Sequence, residues 1–117
     1  MNLLEGKISA DGTRFELEGT MALPLGGMQN SHRGRAVTLG IRPEHIALSS
    51  QTAGGIPFMV DTLEMLGADN LVHGRWGEQK MVVRLGHQER PQPGSTLWLH
   101  LPENNLHFFD KENGQRL

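Results

Sequence analysis

Apolar residues recur at alternate positions in short runs along this chain, and glycine or proline separates one run from the next. The clearest run covers residues 96–101, where Leu97, Leu99 and Leu101 fall on one face and Trp98 and His100 on the other. A period of two is what a strand with one face turned to a core requires. The same pattern predicts strands over residues 3–9, 13–18, 36–41, 58–66, 70–76, 80–85 and 106–110. No helical period lasts longer than a turn or two, and no segment repeats. The predicted fold class is therefore all-β, many short strands forming an OB-like or Greek-key small barrel; periodicity leaves a sandwich open as the alternative.

Turn chemistry fixes some of the breaks. Asp11-Gly12 and Trp76-Gly77-Glu78 read as hairpin connections, because glycine enters the positive-φ region without steric cost. Pro91-Gln92-Pro93-Gly94 must leave the sheet, since proline has no N–H to give to a ladder. Residues 25–35 and 49–55, poor in apolar side chains, read as loops.

Composition narrows the function classes. At 117 residues the chain has the length of one ordinary domain. Hydrophobic residues make up 37%, which leaves a lean core. A net charge of -2 with both signs interspersed gives no basic footprint for nucleic acid, so an OB-like barrel binding single strands is the weaker reading. The absence of cysteine excludes disulfides, thiolate metal sites and cysteine nucleophiles. No run approaches the ~18 apolar residues of a membrane-crossing helix, and the start lacks the regions of a signal peptide.

Candidate chemistry is sparse. Gly26-Gly27 to Gly34-Arg35 has neither the spacing nor the lysine of a phosphate-cradling loop. His32, His45, His73, His87, His100 and His107 form no compact ligand pair, and read as strand-face or loop residues. Ser49, Ser50 and Ser95 lack a nucleophile elbow. Asp61 and Glu64 share a predicted strand at odd spacing, which puts them on opposite faces as solvated or ion-paired groups. No nucleophile, base and orienting group can be assembled into an enzyme. A small-anion sensor, for phosphate or an oxyanion, remains as an alternative that would draw on Arg33, Arg35, Arg42, Arg75, Arg84 and Arg90.

The informative segment is Leu39-Gly40-Ile41-Arg42-Pro43-Glu44-His45-Ile46. Here a strand must end, because Pro43 drives Arg42 toward an extended conformation and stops pairing. Arg42 and Glu44 then read as a surface ion pair of about 0–1 kcal/mol. The phrase resembles the G-I-R-P-E-H signature of the regulatory domain in carbohydrate-importer ATPase subunits, the family of the maltose importer ATPase. Met1-Asn2 to Gly6 is similar to that domain's opening phrase, Leu63-Glu64-Met65-Leu66-Gly67 to its central strand, and His107-Phe108-Phe109-Asp110 with Gly114-Gln115-Arg116-Leu117 to its close. Residues 67–80 and 87–91 resemble the branch that imports glycerol 3-phosphate.

The resemblance implies that residues 1–117 are one regulatory and dimerisation domain whose ATPase domain is absent, and that Met1 is an internal methionine or an artificial start. It implies no catalytic residue, no metal site and no cofactor in this piece, with ATP and Mg²⁺ held by the parent's ATPase domain. The implied partners are a second copy of the subunit, its own ATPase domain, the transmembrane permease subunits and a cytoplasmic regulator, at the inner face of a bacterial membrane. Signature and interface candidates are Gly40, Arg42, Pro43, Glu44, His45, Glu64, Gly67, Trp98, Phe109 and Asp110. Trp98 alternates away from its leucine face, and Phe108 and Phe109, being adjacent, point to opposite sides, so one of that pair lies outside the principal core, either covered by a second sheet or, as the resemblance implies, available to a two-fold partner.

Overall fold

In the computed structural model, which describes residues 1–17, 22–25 and 33–117, ten strands form two antiparallel sheets. They are β1 (Asn2–Ile8), β2 (Arg14–Glu16), β3 (Ala22–Pro24), β4 (Ala36–Ile41), β5 (Ala47–Leu48), β6 (Ile56–Met65), β7 (Asp69–Trp76), β8 (Gln79–Gly86), β9 (Thr96–His100) and β10 (His107–Asp110). The first sheet runs β10-β4-β1-β2-β3 and the second β5-β9-β6-β7-β8. The last strand thus returns to the sheet that holds the first, and the two sheets curl face to face in an OB-like arrangement. The only helical pieces among the described residues are three-residue 3-10 turns.

Every strand read from alternation is present, with ends within two residues of expectation among the described positions. Glu18, and residues 26–32 of the expected loop, lie outside the described residues. β3 and β5 are additional, and Ala47–Leu48 is too short to show any alternation. Both expected hairpins form: β1 turns into β2 over Gly12 (φ 77°), and β7 into β8 over Gly77 (φ 64°), with Trp76 opposite Gln79. The Pro91–Gly94 segment leaves the second sheet, and Gly94 N–H then donates to the Val60 carbonyl at 2.8 Å as the chain returns.

The inner faces meet in one buried cluster. Leu4, Ile8, Phe15, Val37, Leu39 and Ile41 of the first sheet oppose Ile56, Phe58, Val60, Val72, Trp76, Met81, Val83 and Leu99 of the second. Each such side chain contributes about 1.5–3 kcal/mol on burial. Phe15 and Trp76 bridge the sheets with ring centroids 6.4 Å apart at a 44° tilt. Two glycines admit this packing: a Cβ at Gly6 would strike the Phe15 ring, and one at Gly74 the Phe58 ring and the Met59 carbonyl.

β6 carries a bulge. Val60 pairs with Gly74 and Thr62 with His73, so Asp61 is an extra residue without a partner of its own. The extra residue inverts the alternation beyond it, which turns Leu63 toward the core. Asp61 and Glu64 therefore share the outer face, contrary to the expectation from their odd spacing: Asp61 bonds the Arg75 guanidinium and Glu64 the His73 ring, neighbours on one face of β7.

Candidate functional site

The signature phrase forms a corner between the sheets. Leu39 and Ile41 enter the core at 0% exposure, and Arg42 is extended (φ −76°, ψ 144°) ahead of Pro43 as its sequence demands. Pro43–His45 then makes a 3-10 turn, closed by the His45 N–H on the Arg42 carbonyl at 3.0 Å. Ile46 anchors the far side in the core, and the turn packs against β8.

Within the corner, the Glu44 carboxyl is held below its usual range, first by its own backbone N–H and further by the positive charge of nearby side chains, Arg42 and Arg84 among them. Arg42 and Glu44 do not pair directly; the ion pairs among the described residues lie elsewhere, Arg84 joining Asp69 at 3.5 Å. The expected surface pair is absent because Glu44 closes on its own backbone while Arg42 extends into solvent. His45 Nδ1 is buried without a hydrogen-bond partner.

The remaining candidates fall on separate surfaces. Gly40 lies under Phe109 and Met1 on the outer face of the first sheet, where Met1 and Leu3 are 58% and 59% exposed. Phe108 is buried and Phe109 half-buried, so the adjacent rings do point to opposite sides. Trp98 is half-buried on the outer face of the second sheet, against Gly55 and opposite Pro57. Glu64, 3.1 Å from His73 Nε2, lies near the end of the β6–β7 hairpin, and Gly67 (φ 95°) makes its turn beside exposed Met65 and Leu66.

Asp110 is buried at 8% and tied on three sides. Its carboxylate accepts the N–H of Glu112 at 2.8 Å and of Asn113 at 3.3 Å, and pairs with Arg35 at 2.9 Å. These contacts, the Glu112 N–H foremost, hold its carboxyl below the usual range. They also fold the tail back, so that Leu117 N–H reaches the Phe108 carbonyl at 2.8 Å.

Three of the six arginines considered for an anion are joined to carboxylates, Arg35 to Asp110, Arg75 to Asp61 and Arg84 to Asp69. No three His, Asp or Glu side chains gather as a metal set among the described residues, and His32 lies outside them. No described helix is long and apolar enough to cross a membrane. Sequence reasoning missed Asn2 and Gln79, whose side-chain amides join β1 to β8; their only signal is that Asn2 stands in the opening phrase.

These features define a β-barrel module of OB type built around a strand-ending Arg-Pro-Glu-His corner. The chain belongs to the TOBE domain family, whose model matches residues 39–109, and residues 1–46 match the MalK OB fold domain. Over all 117 residues it is 69% identical to the sn-glycerol-3-phosphate import ATP-binding protein UgpC of Escherichia coli O157:H7. It is equally 69% identical to the protein of that name from Salmonella typhimurium (strain LT2). The chain spans about a third, 33%, of the length of each of these curated relatives. Among solved structures, the cytoplasmic molybdate-binding protein ModG with molybdate bound has the same fold, with a TM-score of 0.73 at 14% identity over 92% of this chain and 94% of that one.

Proposed function

We propose that this chain is the regulatory and dimerisation module of the ATP-binding subunit of a bacterial ABC importer for glycerol 3-phosphate or its diesters. The observation that carries this reading is the end-to-end identity of 69% to import ATP-binding proteins for sn-glycerol 3-phosphate. The module does no chemistry itself. ATP and Mg²⁺ belong to the remaining two thirds of the subunit, and the residues here do not fit them, because no described helix follows a glycine loop to cradle phosphates. Its partners are a second copy, its own ATPase domain, the permease subunits and a cytoplasmic regulator, at the inner face of the membrane.

The physical role is effective concentration. A contact between two modules that persists while the ATPase halves part makes reclosure of the ATP sites intramolecular. Gly40 with Phe109, and Trp98, are the candidate contact residues, and the Arg42–His45 corner and the Glu64–Gly67 hairpin end are the candidate regulatory surfaces.

The test is a fusion in which the chain replaces the corresponding third of the E. coli relative. The fusion should run as a dimer without nucleotide, and the chain alone should bind a fluorescent ATP analogue no tighter than ~1 mM, about 4 kcal/mol. A folded but monomeric fusion, or tight nucleotide binding by the chain alone, contradicts the proposal.

A further inference from the structure

Among the described residues β1 pairs by backbone with β2 and β4, and β8 with β7, so where the two sheets meet along β1 and β8 the two strands are not laddered to each other. Among the described residues β1 meets β2 through Lys7 and Ile8, and the backbone of Glu5 faces β8, where the Gln79 side chain binds it. Two side-chain amides fill it. The amide of Asn2 donates to the Val82 carbonyl at 2.8 Å and accepts the Val82 N–H at 2.7 Å. Reciprocally, the amide of Gln79 donates to the Glu5 carbonyl at 2.6 Å and accepts the Glu5 N–H at 2.7 Å. Each amide uses one N–H donor and its oxygen acceptor, the pair a strand residue would present.

The two bridges share one antiparallel register. Moving three residues along β1, from Asn2 to Glu5, moves three residues back along β8, from Val82 to Gln79. They differ in origin, since β1 supplies the side chain at one and β8 at the other. Separating the strands at either bridge therefore strains the other, whereas rotating two side chains releases both without breaking a rung of either sheet.

We infer that Asn2 and Gln79 form a two-point latch that holds β8 against β1, opens as a unit, and through β8 sets the position of the Arg42–His45 corner. The corner packs on β8, and the charge of Arg84, on β8, acts on Glu44. β1 thus reaches the signature turn through these two side chains and β8, as well as through its ladder to β4, where Asn2 pairs with Ile41. The latch stands on its hydrogen bonds alone; its use in passing signals to the corner rests on the regulatory reading proposed above.

Hydrogen exchange of the 117-residue chain, followed by NMR, tests it. In the unaltered chain the Glu5 and Val82 N–H groups should exchange at matched rates, at least about tenfold faster than the ladder N–H groups of Leu39 and Val72, as local opening requires. Asn2→Ala should accelerate exchange at Glu5, whose own acceptor is untouched, and Gln79→Ala should accelerate it at Val82. The amide signals of His45 and Ile46 should shift in Gln79→Ala, which leaves the Asn2–Ile41 ladder pair intact, while that of Trp98 stays in place. Exchange of Glu5 and Val82 only with the core, or acceleration confined to the residue whose own bond is cut, overturns the latch. An unmoved corner overturns the coupling. Should Asn2→Ala fail to fold, Gln79→Ala and the rates in the unaltered chain still decide, and none of these results depends on transport.

Discussion

Phe109 roofs Gly40: a Cβ at Gly40 would lie 3.1 Å from the ring carbon Cε2 of Phe109 and 2.7 Å from Met1 Sδ. The glycine of the signature phrase is thus explained by packing on the outer face of the first sheet. Gly40→Ala should cost about 1 kcal/mol, the lower end of overpacking because the Met1 side chain can swing away. Gly40→Val should cost more, and Phe109→Ala should relieve part of it, giving a non-additive cycle in urea denaturation. Additive costs would show that the ring does not set the constraint.

Gly74 and Arg75 are neighbours with opposite expectations. A Cβ at Gly74 meets the Met59 carbonyl and the Phe58 ring, and Gly74→Ala should destabilise by about 1–3 kcal/mol. Arg75→Ala removes a half-exposed pair with Asp61 at 3.1 Å and should cost less than about 1 kcal/mol. Thermal melts of the two variants would reverse this order only if the bulge depended on the ion pair.

Asp110 should give stability a distinct acid limb. Its folded carboxyl is lowered from 3.8, chiefly by the Glu112 N–H and further by Asn113 and Arg35. A lowered pKa means the contribution is complete above the unfolded value and is lost as pH falls through the folded one. The stability gap between the natural chain and Asp110→Asn should therefore be constant above about pH 5 and shrink below about pH 4. A gap that does not change with pH would remove the carboxylate from the tail's anchoring.

The strands that alternate and the turns that need positive φ were legible, because residues 96–101 and Gly77 state their conformations locally. The faces of Asp61 and Glu64 were not. A bulge is a property of the pairing with the partner strand, here between the Val60–Gly74 and Thr62–His73 pairs, and period two presumes a constant register. Ala47–Leu48 is shorter than any period. The Asn2–Val82 bridge spans 80 residues, and nothing local to Asn2 names its partner. The corner was read correctly as a strand end, but its ion pair was not, since Glu44 turns to its own N–H.

On the proposed role, self-association of the chain alone should be concentration-dependent and weak, because it would lack the contacts that the other two thirds of the subunit add. Trp98 and Phe109 lie on outer faces of different sheets, so Trp98→Ala and Phe109→Ala test two separate surfaces. In sedimentation equilibrium, one of these substitutions should reduce the dimer and thereby name the sheet at the two-fold axis. A chain that stays monomeric to millimolar concentration contradicts autonomous dimerisation.

The most direct measurement is uptake of labelled glycerol 3-phosphate by cells whose importer carries the fusion, with this chain in place of the corresponding third of the E. coli ATP-binding protein. The proposed role predicts energy-dependent uptake within about threefold of the unaltered importer, a difference of roughly 0.7 kcal/mol in barrier. A fusion that folds, assembles with the permease and hydrolyses ATP, yet imports no glycerol 3-phosphate, would contradict it.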